Sequence, residues 1–237
     1  MEQQVVLITG ASQGLGAELA RAYARQSARL VLTARSPGPL AAIQEELQEL
    51  AEVLALPGDV ANDEHVHALV GKAHERFGHI DILINNASTL GATPMPLLEH
   101  LAPDTFRNLM GVNVHAPLHL IQHALSSMRE RGSGTIVNIS SDAALAAYAG
   151  WGGYGASKAA LEHLSRILAE EVAPSGVRVL VIDPGNMNTQ MHREAEPGVD
   201  LSDLPDPKDV APAIIAAISG AGKYFERVEA QGIVASV

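Results

Sequence analysis

The stretch VVLITGASQGLG, Val5 to Gly16, runs a β-branched and leucine-rich segment into a turn carrying Gly10, Gly14 and Gly16, with a helical pattern starting at Leu15. A strand that enters a glycine turn and leaves as a helix is the opening unit of a doubly wound α/β sheet. Its chemical use follows from the backbone. Without side chains in the way, a pyrophosphate reaches the helix N-terminus, where unpaired N–H groups and the helix dipole favour negative charge. Gly10 permits the tight turn, Gly14 and Gly16 the close approach, and Ser12, Gln13 and Leu15 belong to the same binding loop. The spacing is G-x-x-x-G-x-G, not the common G-x-G-x-x-G, so the strand-turn-helix context carries more than the letters.

Outward from that unit, short apolar runs recur: RLVLTA from Arg29, VLAL from Val53, IDILIN from Ile80, TIVNIS from Thr135, VRVLVI from Val177 and, last, KYFERVEA. Between them lie amphipathic stretches such as Leu15 to Gln26, Leu40 to Leu50 and His65 to Phe77. This alternation predicts a single-domain, doubly wound Rossmann fold over residues 1–237, with a parallel sheet of about seven strands flanked by helices. Asn62 caps a helix that ends at Gly78, Pro103 opens a long helix running to about Gly132, and another helix starts near Gly153 and stops before Pro174. The acidic segment 186–206 is the longest without a regular pattern and is expected to form a substrate lid.

Sixteen basic residues against 27 acidic ones give a formal charge of -11, so no basic field exists to neutralise a nucleic-acid backbone or to hold an anionic membrane surface. Nucleic acid and membrane are therefore not expected partners. The absence of cysteine removes disulfides, thiolate metal sites and a cysteine nucleophile. MEQQVVLITG has no basic n-region, and no apolar run approaches the roughly 18 residues of a membrane span, so the expected location is cytoplasmic.

About 25 residues after Gly10, where an acid would bind the adenosine ribose 2′-hydroxyl, the sequence reads TARS. Ala34 offers no carboxylate, and the guanidinium of Arg35 suits a 2′-phosphate, which favours NADP(H) over NAD(H). YGASK places Tyr154 and Lys158 four apart, on one helical face, where a cation beside a phenol lowers the phenol's pKa towards neutrality. Ser141 follows TIVNIS at a strand end that opens into the ligand crevice, where its hydroxyl can hold a carbonyl oxygen as charge develops. NNAS, Asn85 to Ser88, ends another strand at the same edge, and Asn113 is a polar amide inside the long helix.

TGASQGLG, GDV at Gly58 to Val60, NNAS, Asn113, Ser141, YGASK and PGNMNT at Pro184 to Thr189 stand in the order and spacing of one family. Over nearly all its length the chain resembles a short-chain dehydrogenase/reductase. The resemblance implies an oxidoreductase interconverting a ketone or aldehyde and its alcohol, with a tetrad of Asn113, Ser141, Tyr154 and Lys158. Tyr154 would protonate the carbonyl oxygen that Ser141 holds; Lys158 would bind the nicotinamide ribose and poise Tyr154; Asn113 would support a water relaying protons from Lys158. Asp59 and Val60 would face the adenine, Asn86 and Ala87 the middle of the cofactor, and Thr189 with the Pro184–Gly185 turn its nicotinamide end. A homodimer or homotetramer is implied as well, although EAQGIVASV departs from the longer glycine-rich tail of many relatives. Ser88 stands where the family usually has glycine, an exchange of consequence only if that backbone needs positive φ.

Other readings compete. HERFGH, His74 to His79, resembles a zinc motif, but its histidines are five apart and Gly78 ends the helix before the second, so no metal is expected. His115, His119 and His123 form a stripe on the long helix, read as solvated or packed histidines. Ser141, Asp183 and His192 occur in the chain order of an α/β-hydrolase, but no nucleophile elbow surrounds Ser141. A cofactor-sensing regulator on the same fold would tend to lose Tyr154 or Lys158. The crevice is expected to be lined by Leu90, Met95, Leu145, Tyr148, Trp151, Met187 and Met191, which suits an apolar carbonyl or alcohol. A 3-oxoacyl group on an acidic carrier is the alternative, with Arg129 and Arg131 available to meet it.

Overall fold

The computed structural model describes residues 3–220 and 222–234, with side chains as far as Gly232; the tail residues 235–237 of the EAQGIVASV segment lie outside the described residues. Seven strands form one parallel sheet in the order β3-β2-β1-β4-β5-β6-β7. They are β1 (Val5–Thr9), β2 (Arg29–Ala34), β3 (Val53–Pro57), β4 (Ile82–Asn85), β5 (Gly134–Ile139), β6 (Val177–Asp183) and β7 (Phe225–Glu229). Each sits within or beside one of the apolar runs read from the sequence.

The strands are apolar on both sides because both sides are covered. Val6 and Ile8 of β1 join a core with α1 (Gly14–Arg25), α2 (Pro37–Leu47) and α8 (Pro207–Ser219). Val5 and Leu7 point the other way, to α3 (Asp63–Phe77), α5 (Ala116–Arg131) and the end of α6 (Gly152–Val172). Burying one such aliphatic side chain contributes about 1.5–3 kcal/mol, so alternate residues of one short strand stabilise two layers.

Helix boundaries follow local chemistry. The Asn62 side chain accepts from the Glu64 and His65 amides at the start of α3, and Gly78 closes that helix in the left-handed region at φ 82°. The long helix after Pro103 is not continuous α-helix: α4 (Pro103–Met110) passes through a π-turn, Gly111–His115, into α5, which Gly132 closes at φ 66°. Pro117 explains the position of the turn. It lacks the N–H that an α-helix would offer to the Asn113 carbonyl. Segment 186–206 contains one further short helix, α7 (Gln190–Ala195), capped by the Thr189 hydroxyl, and the Asn188 amide ties the segment to the Pro205 carbonyl at 3.0 Å. The chain continues past β7 into α9 (Ala230–Val234).

The winding reverses between β1 and β4. From β1 the chain moves outward to β2 and β3, then returns to β4 and builds the other half, so a crevice opens at the carboxyl ends of β1 and β4. Among the described residues no helix is long and apolar enough to cross a membrane.

Candidate active site

A cleft of about 650 Å³ lies along the carboxyl edge of the sheet. Its walls include the glycine turn, Arg35, Asp59, Val60, Asn86, Ala87, Ser141, Tyr154, Lys158, Pro184, Gly185 and Thr189. Residues scattered from position 10 to position 189 thus meet in one place, whereas Asn113 is buried and is not among the residues lining the cleft.

At one end, Gly10 has φ +66°, and a Cβ there would approach the Asn86 amide nitrogen to 2.9 Å. A Cβ on Gly16 would collide with the Gly10 carbonyl. At Gly14 the situation differs: φ is +55°, and the only atom within 4 Å of a Cβ would be Thr189 Cγ2, at 4.0 Å, so the bare backbone borders open cleft. That bare backbone at the N-terminus of α1 fits the pyrophosphate of a nicotinamide dinucleotide. Thr9, which the sequence reading passed over, fastens the turn to the next strand. Its hydroxyl accepts from the Asn86 and Ala87 amides at 3.0 and 2.9 Å, and Asn86 Nδ2 donates to the Thr9 carbonyl at 2.9 Å. Arg35 is exposed just past the end of β2, beside the cleft, and Asp59 accepts from the Ala61 amide at 2.9 Å.

At the other end, Tyr154 and Lys158 occupy one face of α6, both buried, with Lys158 Nζ 5.5 Å from the centre of the phenol ring. Lys158 Nζ donates to the Ile139 carbonyl at the end of β5, at 2.8 Å. Burial pulls the ammonium down to about 8 against the opposing pull of Asp183 and Glu162. The phenol departs from the expected lowering: burial pushes it up to about 12, although the Ser88 and Ser141 hydroxyls beside it act downward. The reason is that desolvation penalises phenolate and ammonium alike, and at this separation the lysine does not offset it.

Ser141 lies two residues beyond β5. Its hydroxyl donates to Asp142 Oδ1 at 3.0 Å and accepts from the Ala143 amide at 3.2 Å, while Asp142 Oδ2 accepts from the Tyr148 hydroxyl at 2.7 Å. Trp151 stands edge-on to Tyr154, with ring centres 5.8 Å apart. Leu90, Met95, Trp151 and Met191 pack with Tyr154 into a small apolar cluster, whereas Leu145 is exposed and does not line the cleft.

The Asn113 side chain is fully committed. Its oxygen accepts from Ser88 Oγ at 3.2 Å and the Thr89 amide at 2.9 Å; its nitrogen donates to the Thr89 carbonyl and to Ser157 Oγ, both at 2.9 Å. The amide group therefore has no donor left for the water relay that the resemblance implies.

A charged network that local spacing did not reveal lies behind Lys158. Glu162, one turn further along α6, accepts from Ser140 Oγ at 2.6 Å and from Arg227 Nε at 3.1 and 3.2 Å. Arg227 also reaches Asp183 Oδ2 at 3.4 Å, and Asp183 Oδ1 accepts from the Gly185 amide at 2.9 Å, shaping the Pro184–Gly185 turn. Gln231 Nε2 donates to the Asn186 carbonyl at 2.6 Å on the far side of that turn. Burial raises Asp183 above its ordinary value, opposed by the Gly185 amide and Arg227.

The competing motifs are dispersed. His74 Nε2 meets Ser127 Oγ at 3.0 Å, whereas His79 meets Asp81 at 3.0 Å. His119 pairs with Asp63 at 2.6 Å, His123 stands edge-on to His67, and His115 is exposed. His192 turns to Glu196 at 3.1 Å, while Ser141 donates to Asp142 and not to an imidazole. Arg129 reaches the Glu171 carbonyl at 3.4 Å, and Arg131 is held by Asp81.

Residues 4–200 match the family model described as short chain dehydrogenase. The chain belongs to the short-chain dehydrogenase/reductase family. Among curated relatives, it is 33% identical to an uncharacterised oxidoreductase of Staphylococcus saprophyticus over 220 residues, covering 92% of each chain. It is 31% identical to a 3-oxoacyl-[acyl-carrier-protein] reductase of Vibrio harveyi, over 95% of this chain and 93% of that one. Among solved structures, an alcohol dehydrogenase from the archaeon Thermococcus sibiricus complexed with 5-hydroxy-NADP superposes with a TM-score of 0.86 at 30% identity, covering 96% of each chain. As a short-chain dehydrogenase/reductase, the protein is an oxidoreductase acting on CH–OH or C=O with a nicotinamide cofactor.

Proposed function

We propose that the protein interconverts an apolar ketone or aldehyde and the corresponding alcohol with NADP(H), using Tyr154 as the general acid in reduction and the general base in oxidation. The observation that carries this reading is the meeting of Tyr154, Ser141 and Lys158 in a cleft that also presents Arg35, with Ala34 and no acid at the end of β2. Bound there, the nicotinamide group supplies or accepts the two electrons of the reaction.

The chain's own residues divide the remaining work. The N-terminus of α1, with Gly10, Ser12, Gln13, Gly14, Leu15 and Gly16, holds the pyrophosphate, and Arg35 pairs with the 2′-phosphate. Asp59 and Val60 border the adenine, and Asn86 and Ala87 the middle of the cofactor. The Pro184–Gly185 turn and Thr189 keep the nicotinamide end, beneath segment 186–206 acting as a lid. Ser141 turns its hydroxyl from Asp142 to the substrate oxygen, where Tyr154 delivers the proton. Lys158 holds the ribose hydroxyls, and its charge, close to titrating at neutral pH, lowers the cost of leaving a phenolate. A water on the π-turn main chain at Asn113 returns the proton from solvent. Apolar substrates are favoured by Leu90, Met95, Trp151, Met187 and Met191 around the reacting end. The engagement of Arg129 and Arg131 by their own chain disfavours the acidic-carrier alternative.

Two measurements test the reading. A panel of ketones and alcohols followed at the nicotinamide absorbance, with both cofactors, should return NADPH-linked turnover; turnover with NADH alone contradicts the cofactor choice. Arg35→Ala should weaken NADPH binding roughly ten- to hundredfold and leave NADH nearly unchanged, because only the 2′-phosphate loses a charged hydrogen bond. Equal losses for both cofactors would remove Arg35 from that role.

A further inference from the structure

We infer that Asp142 is a specificity-determining residue: its carboxylate holds Ser141 as a hydrogen-bond acceptor, which sets the site to take up the alcohol and to let the carbonyl compound go. The inference rests on the reading of Ser141 as the residue that meets the substrate oxygen.

The bonding positions of Ser141 Oγ carry it. A carboxylate can only accept, so the 3.0 Å contact with Asp142 Oδ1 commits the Ser141 hydrogen. The Ala143 amide, at 3.2 Å, takes one of the two lone pairs. Among the described residues nothing else binds this oxygen, so Ser141 offers the cleft it lines one lone pair and no donor. An alcohol O–H can donate to that lone pair as it stands. A carbonyl oxygen also only accepts, and must first draw the serine hydroxyl away from Asp142.

The carboxylate is held on its other side as well. Asp142 Oδ2 accepts from the Tyr148 hydroxyl at 2.7 Å, and the Tyr148 ring stands edge-on to Trp151, with centres 6.2 Å apart. Asp142 also opens the short 3₁₀ turn Asp142–Ala144 that Ser141 caps. The acceptor is therefore fixed in place when the serine turns. The bond that breaks is charge-assisted, whereas the one formed to a neutral carbonyl is not, so the exchange costs the carbonyl complex affinity.

The same turn recurs in oxidation. There the alcohol proton passes to Tyr154, and Ser141 leaves Asp142 for the oxygen left behind. Removing the carboxylate should therefore act in two places by one factor: it tightens the carbonyl complex and speeds the chemical step of the bound alcohol. The ratio of kcat/KM in the two directions stays fixed, as the overall equilibrium requires. A site built this way suits a dehydrogenase, whose carbonyl product then competes weakly with the incoming alcohol.

The test uses Asp142→Ala and Asp142→Asn in the full chain, with acetophenone and 1-phenylethanol or the apolar pair that turns over fastest in the panel. Trp151, the only tryptophan of the chain, lines the cleft and reports binding by its fluorescence. The ketone is titrated into protein loaded with NADP+ and the alcohol into protein loaded with NADPH, two pairings that cannot react. Asp142→Ala should bind the ketone roughly tenfold more tightly and the alcohol within about twofold of wild type. Asp142→Asn, whose uncharged amide holds the hydroxyl less strongly, should shift the ketone in the same direction and keeps the test open if alanine disturbs folding. In single turnovers, alcohol oxidation should rise by the factor seen in ketone binding, while bound ketone is reduced at the wild-type rate. Unchanged affinities in both variants, or a parallel change for ketone and alcohol, would overturn the inference. Failure of the underlying reading is separate: Ser141→Ala would then match wild type in both affinities and in turnover.

Discussion

The two sides of the Tyr154–Lys158 pair are built from opposite materials. Behind the Tyr154 main-chain carbonyl stand Ser157, Asn113 and Ser88, all neutral, joined by bonds of 2.7–3.2 Å. Behind the ammonium stand Glu162, Asp183 and Arg227, with side chains 5%, 7% and 15% exposed, a buried ion cluster supported by Ser140. Hydroxyls and a carboxamide can redirect donors when a neighbour changes charge, at the cost of rotating one bond. Buried ions cannot move without exposing an unpaired charge. The neutral side holds the Tyr154 main chain, and the ionic side fixes the Pro184–Gly185 turn and the Ser140–Ser141 corner.

Breaking the ionic side should have the larger effect on stability. Arg227→Met leaves buried Glu162 only the longer pair with the exposed Arg166, at 3.7 Å, and should cost about 3 kcal/mol, read as a lowered denaturation midpoint; the double variant with Glu162→Leu should recover most of it. A loss under about 1 kcal/mol in the single variant would show that the cluster is solvated in solution.

Removing the lysine should act in the opposite direction and less strongly. Lys158 titrates near 8 in the folded chain against 10.5 in a free side chain, so below pH 8 the folded state bears the full penalty of an ammonium held in a dry site. Between pH 8 and 10.5 the unfolded chain binds more protons than the folded one, and that penalty is relieved as pH rises. Lys158→Met should therefore be inactive yet more stable than wild type at pH 7, by about 1–3 kcal/mol, with the gap closing across that window. A gap independent of pH would assign the gain to packing.

The contrast also explains what could be read from the sequence. The strands were legible because each is a short apolar run bounded by turns, and a parallel sheet buried on both sides needs no finer pattern. Tyr154 and Lys158 were legible because i,i+4 spacing alone places them together. The sign of the phenol's shift was not, since it depends on burial that spacing does not encode. Arg227 and Glu162 are 65 residues apart, and only the pairing of β7 with β6 brings the guanidinium to α6. The π-turn was written in Asn113 and Pro117, but a proline four residues on also fits an ordinary helix start. The six residues of α7 are too few for a periodicity to declare itself. Ser88 showed only its backbone consequence in the sequence, whereas its bond to Asn113 depends on where the side chain points.

The most direct test is NADPH-dependent carbonyl reduction by wild type and Tyr154→Phe, measured alongside NADPH affinity for each. The account predicts unchanged affinity and a loss of turnover of about 10²–10⁴, the contribution of a positioned proton donor. Turnover in the phenylalanine variant within about threefold of wild type would contradict it, because the ring would then be serving as packing alone.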